Sequence, residues 1–415
     1  MSQPYKFADV TSGITARKFA VLILVVSFFF VSLSCSRPQT KANQNVDLKK
    51  AANYLDVREQ WWTNWQGSAR DHGTFCVSCH TALPYALSRP ALREALAVQE
   101  QSTYERQLLE DVKTRVRLWN QVGPYYNGSG YDGKADESRG TESVLNALIL
   151  SHYDALTGKL SSETRAGFDN MWALQEKSGD KKGAWAWLQF NQEPWEAKDS
   201  AYYGACLAAI AVGSAPGNYM SDPQIQPNLQ LLRQYLTTKA PSQSTINQVF
   251  LLWASTKLSG LLSPAQQKSI IDEVRHRQQR DGGWRLASIA WRWNGWSAKS
   301  LLNMWIREDG TPLGGKSDGV GTGLITYVFE EAGVPPNDPS LERGLNWLKV
   351  NQNAADGSWP ARSVNKQRSM SSQTGRFMSD AATAFSVLAL TADQSGSTTQ
   401  AHSSRPAFSK STNHE

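Results

Sequence analysis

Two short signatures alternate along this chain, and together they leave it little choice of fold. The first is a helix ending in Gln or Asn, followed by a polar turn that runs into Gly-x-Trp. It is clearest in Gln279-Arg280-Asp281-Gly282-Gly283-Trp284 and from Gln352 to Gly357-Ser358-Trp359, with a looser copy from Gln175 to Gly183-Ala184-Trp185. The second is an acidic residue that opens a helix of small and apolar residues, at Glu142, Asp199, Asp318 and Asp380. Such helices are apolar around most of their circumference, as a helix packed on all sides must be. The helices between them, such as residues 339–350, carry charge on one face only. One hairpin of this kind cannot bury its own inner face, so its neighbours must. Inner helices ringed by amphipathic outer ones make an all-α fold, an α/α toroid of about six hairpins.

Residues 317–359 in particular resemble one repeat of the terpenoid cyclase and protein prenyltransferase superfamily, which includes the squalene–hopene cyclases. The likeness extends over roughly residues 48–391. It implies that the Gln residues cap helix ends, that the Gly-x-Trp tryptophans stack between repeats, and that chemistry sits at one mouth of the ring. The cyclases protonate an alkene with an Asp-x-Asp-Asp motif, and that motif occurs nowhere in this chain. Asp199, Asp318 and Asp380 are the isolated carboxylates left as candidate catalytic acids. Their other reading is as helix N-caps, whose oxygens accept backbone N–H groups.

Residues 1–35 read as an export signal. Arg17 and Lys18 precede an apolar run from Phe19 to Leu33, and Ser32-Leu33-Ser34-Cys35 resembles a lipoprotein processing box with Cys35 as the lipidation site. The alternative is an uncleaved anchor helix. Either one attaches the body to a membrane and places it in the periplasm or cell envelope. Residues 36–46 form a polar tether, 47–392 the toroid, and 393–415 a polar tail without apolar period, expected to be disordered. The net charge of +6 is spread along the chain with no basic block, which excludes a nucleic-acid groove. Sixteen tryptophans need a home in a core or a cavity wall.

The densest chemical signal is Cys76-Val77-Ser78-Cys79-His80, which follows Gly73-Thr74-Phe75 and opens the first inner helix. In an exported protein, Cys-x-x-Cys-His reads as a covalent haem c site, with both thiols bonded to the porphyrin and His80 on the iron. His72, His152, His276 and the methionines Met171, Met220, Met304, Met370 and Met378 are the candidates for the distal position. A second reading is zinc held by Cys76, Cys79 and His80 with Asp318 as a fourth ligand. The third is a Cys76–Cys79 disulfide that staples the first hairpin of a structural or binding toroid. The leading expectation is thus a haem-carrying toroid working in electron transfer or in redox chemistry on an apolar, isoprenoid-like molecule, with a redox protein as partner. A terpene-cyclase-like enzyme or a prenyl-binding protein is the other. The glycine-rich loop 126–141, with Asp132, Asp136, Glu137 and Arg139, is a candidate substrate loop or calcium site whose default is a solvated loop.

Overall fold

The computed structural model describes residues 46–128, 130–291 and 305–403, with side chains to residue 392. Cys35, the export segment, Trp293, Trp296 and Met304 lie outside the described residues. Twelve α-helices are described, alternating outer and inner. The outer helices are α1 (Leu48–Asn64), α3 (Thr103–Arg117), α5 (Ser162–Ala173), α7 (Gln226–Lys239), α9 (Pro264–His276) and α11 (Pro339–Asn351). The inner ones are α2 (Ala82–Ala95), α4 (Lys134–Thr157), α6 (Ser200–Ser214), α8 (Thr245–Lys257), α10 (Gly319–Glu331) and α12 (Phe377–Ser403). Each inner helix packs on the next, and α12 returns to pack on α2 and α1, so the ring closes. This is the all-α toroid of six hairpins that the repeats require. Among the described residues no helix is long and apolar enough to cross a membrane.

Small residues line the inner helices because the backbones come close together. A Cβ added to Gly323 of α10 would lie 2.6 Å from the Ser386 nitrogen of α12, and one on Gly204 would meet the Trp187 ring at 2.2 Å. The Gly-x-Trp tryptophans lock each hairpin. Trp185, Trp284 and Trp359 are fully buried, and their indole N–H groups donate to Met171, Val274 and Leu348 carbonyls at 2.6, 2.8 and 2.9 Å. Those carbonyls belong to the last turns of outer helices, where the regular donors four residues on run out.

The glutamines do the capping between repeats. Gln175 donates to Gly183 in its own turn and to Asn228 at the start of α7. Gln352 donates to Gly357 and to Asp47, the N-cap of α1, so the last repeat is tied to the first. After α9 it is Gln278, one residue before the motif's Gln279, that bridges Gly282 to Ser340 at 2.8 Å. Gln279 donates to Arg277 in its own turn.

The seam between first and last hairpins holds a buried ion pair. Arg58 Nε of α1 meets Asp380 Oδ1 of α12 at 2.7 Å, with 2 % and 1 % of the side chains exposed. Tyr54 also donates to Oδ1 and Thr81 to Oδ2, at 2.9 and 2.7 Å. All three neighbours are donors, the arrangement an ionised carboxylate needs when water is excluded.

Candidate functional site: a carboxyl-lined cleft at the ring mouth

The residues that precede the inner helices gather at one mouth of the ring. A cleft there is lined by Cys79 and His80 before α2, by Gln192, Glu193, Trp195 and Glu196 before α6, and by Ser363, Asn365, Arg368, Phe377 and Met378 around the start of α12. Its enclosed volume is about 60 Å³, room for a few waters or a linkage between larger groups that rest in the open mouth.

The turn before α6 is held from several sides. Phe190 and Gln192 N–H donate to the Glu196 carbonyl, and Glu196 N–H donates back to Gln192. Trp187 donates its indole N–H to the Trp195 carbonyl at 2.9 Å. Asn365 pairs both ends of its amide with the Glu193 backbone, accepting from N–H at 3.0 Å and donating to the carbonyl at 2.8 Å. The main chain is therefore fixed while both glutamate side chains remain half-buried on the cleft.

Burial pushes the Glu193 carboxyl up to about 8, reinforced by the charges of Asp199 and Glu308. Burial pushes Glu196 up to about 7, with Lys134 pulling it back. No hydrogen bond satisfies the Trp195 indole N–H among the described residues, although the side chain is 5 % exposed and lines the cleft. A buried donor without an acceptor costs about 1–3 kcal/mol unless something supplies one.

His80 is held in one orientation. Its ring stacks on Phe377 at 3.8 Å, meets Trp62 edge-on at 5.1 Å, and its Nδ1 lies 2.8 Å from Thr81 Oγ1. The Thr81 hydroxyl gives its single proton to Asp380, so it accepts from Nδ1–H, and Nε2 is the imidazole's remaining acceptor. Burial, with Arg58 and Arg368 nearby, lowers its pKa to about 3, which keeps the ring neutral.

These positions correct several expectations. Cys76 and Cys79 are buried free thiols, not a disulfide, and burial pushes Cys76 up to about 12 and Cys79 well above the usual thiol range. A haem does not fit, because both thiols are buried and the cleft beside His80 holds only a few waters' volume. Zinc fares no better, since no group of three or more His, Cys, Asp or Glu residues converges among the described residues. Of the distal candidates, His72 and His276 are exposed, His152 lines the far mouth, and Met378 lies on the cleft beside Phe377.

None of the three expected catalytic aspartates lines the cleft. Asp380 is the saturated seam carboxylate. Asp318 caps α10, accepting from Gly321 and Leu286 N–H at 2.9 and 2.7 Å. Asp199 sits at the N-cap position of α6 and acts on Glu193 through its charge. Glu142, inside α4, pairs with Arg115 at 2.5 Å and Arg139 at 3.3 Å. In the 126–141 loop, residues from Lys134 onward are helical, and Glu137 and Arg139 are engaged with Lys134 and Glu142. What the sequence reading missed is Gln192-Glu193-Pro194-Trp195-Glu196. Its signal was two carboxyls flanking Pro-Trp in a turn that opens an inner helix.

No family model and no curated protein matches the chain. Glycosidases are among the solved structures with a similar ring. An inactive variant of the α-1,6-mannanase of Salegentibacter sp. HEL1_6, in complex with α-1,6-mannotriose, aligns at TM-score 0.47 and 10 % identity over 84 % of this chain and 100 % of that one. A wild-type glycosidase aligns at 0.46 and 13 % over 84 % and 98 %, and a glycosidase variant in complex with glucose at 0.45 and 12 % over 83 % and 97 %. The likeness is one of fold. The toroid rests on the packing of its own helices, whereas neither a haem redox protein nor a terpenoid cyclase with isoprenoid or redox partners fits a cleft this small whose expected acids are engaged elsewhere.

Proposed function

We propose that the mouth cleft performs acid–base hydrolysis of a hydroxyl-rich substrate of the glycan class. The observation that carries this reading is the pair of sheltered glutamates, Glu193 at about 8 and Glu196 at about 7, on one rigid turn facing one cleft. A carboxyl protonated at neutral pH can give its proton to a departing oxygen, and a second one that ionises there can activate water. Glu193, the higher of the two, is assigned as the acid and Glu196 as the base. Trp195 and Phe377 supply aromatic surface, and the unpartnered Trp195 N–H, Gln192 and Arg368 supply donors for hydroxyl and ether oxygens. Export to the cell envelope, expected from the N-terminal segment, belongs to the same proposal, since it would bring the cleft to envelope or extracellular glycans.

The test is turnover. Reducing-end-labelled oligosaccharides of neutral and acidic type are incubated with the full chain, Glu193→Gln and Glu196→Gln, and products are separated by size. Cleavage of at least one substrate class by the wild type, lost in both variants, is expected. Cleavage that survives in both variants, or none with any class, overturns the reading.

A further inference from the structure

A second cavity, of about 340 Å³, opens beside the cleft, within the range of ~300–1,000 Å³ common for small-molecule sites. The two share one wall. The segment 361–365 runs between them, with Ser363 and Asn365 lining the cleft and Ala361, Arg362 and Val364 lining the cavity.

The cavity's polar lining is cationic. Arg285, Arg307, Arg362 and Lys316 all line it, against one acid, Asp318. Both Asp318 oxygens are already taken, by the Gly321 and Leu286 N–H groups. Arg285 is 6 % exposed and Arg307 4 %. Arg307 is fastened to the shared wall through Nε to the Ser363 carbonyl at 2.7 Å, and Asp309 is the acid whose charge faces it. Arg285 donates from Nη1 to Gly314 at 3.2 Å, carries the Trp305 ring at 4.7 Å, and has no partner for its buried Nε among the described residues. Two arginines held out of water, one with an unused donor, sit beside two more cations, and the acids whose charge reaches them, Asp318 for Arg285 and Asp309 for Arg307, already spend both oxygens on backbone and hydroxyl donors. Such a group normally keeps a partner when buried.

We propose that this cavity is an anion-binding subsite that takes the carboxylate or sulfate of a sugar residue whose linkage lies in the mouth cleft. The inference rests on the hydrolase reading for the sugar and stands apart from it for the anion. It also explains the proportions of the site: the cleft is too small for a sugar ring, and the cavity next to it holds one.

The experiment has two arms. In the first, thermal unfolding of the full chain is followed in sodium sulfate and in sodium chloride of equal ionic strength. The wild type gains stability in sulfate over chloride, and Arg362→Gln/Lys316→Gln, two exposed positions, loses the difference, as does Arg285→Gln. An equal response of wild type and double variant removes the subsite, whatever glycans do. The second arm measures binding of trigalacturonate and of neutral cellotriose by calorimetry. The wild type binds the acidic trimer at least about tenfold more tightly, and the double variant loses about that factor, the size of one charge-assisted hydrogen bond. Sulfate protection without binding of either trimer keeps the anion site and overturns the glycan reading. Equal affinity for both trimers in the wild type overturns the acidic-sugar assignment.

Discussion

Two sets of buried carboxyls lie close together at the same end of the ring, and they are built on opposite plans. At the seam, Asp380 has a donor on each oxygen: Arg58 and Tyr54 on one, Thr81 on the other. At the cleft, Glu193 and Glu196 have their main chains tied down by Asn365, Gln192 and Phe190, and their carboxyls face the opening. Burial raises the pKa in both places. The difference is what the oxygens are doing. A carboxylate with a donor on each oxygen holds helices together, while a carboxyl with a fixed backbone and an open side chain can exchange a proton with something else. Strain in pKa alone would not have separated them.

The largest effect that separates the two regions is on stability at the seam. Asp380→Ala leaves the Arg58 charge buried and uncompensated, and a loss of about 3–5 kcal/mol in chemical unfolding is expected. The cleft should respond the other way. Glu193→Gln and Glu196→Gln each lower turnover by about 10²–10⁴-fold, the usual contribution of a general acid or base, and at pH 5, where both carboxyls are protonated, leave stability within about 1 kcal/mol. If Asp380→Ala unfolds at the wild-type denaturant concentration, the seam is not what closes the ring.

A smaller effect appears in the pH dependence of stability. Glu193 and Glu196 are held at about 8 and about 7, against an ordinary 4.5. Between those limits the folded chain binds more protons at these sites than the unfolded one, so their contribution to stability falls as pH rises from about 5 to 8. The double variant Glu193→Gln/Glu196→Gln removes that contribution. The loss of stability from pH 5 to pH 8 should therefore shrink relative to wild type, and a steeper loss would reverse the assignment. The smallest effect concerns the motif that dominates the sequence. Cys76→Ala should cost on the order of 1–2 kcal/mol for the lost packing and leave turnover unchanged, because the thiol is buried, protonated and off the cleft.

The ring was legible because its requirements are local and repeated. Gly-x-Trp recurs where a buried indole must reach the last carbonyls of an outer helix, and small residues recur where α10 and α12 meet backbone to backbone. The site was not legible for the opposite reason. Asp199, Asp318 and Asp380 look alike in the sequence, each leading into a run of small residues, yet one caps a helix, one anchors a seam from inside its helix and one biases a neighbouring carboxyl. Cys-x-x-Cys-His has that chemical meaning only if thiols and imidazole can meet one ligand, and the fold buries both thiols while Phe377, from a helix about 300 residues later, stacks on the imidazole. Glu193 and Glu196 face an opening whose other side includes Asn365, which lies 172 positions from Glu193 in the sequence.

The central claim, that Glu193 and Glu196 are the reacting pair, is tested most directly by the pH dependence of kcat/KM for a cleaved oligosaccharide in wild type and in Glu193→Gln. The wild type should give a narrow bell with limbs near 7 and 8, Glu196 losing its proton on the acid side and Glu193 on the alkaline side. In Glu193→Gln the alkaline limb should vanish with the rate. A variant that keeps both limbs and the wild-type rate would contradict the account.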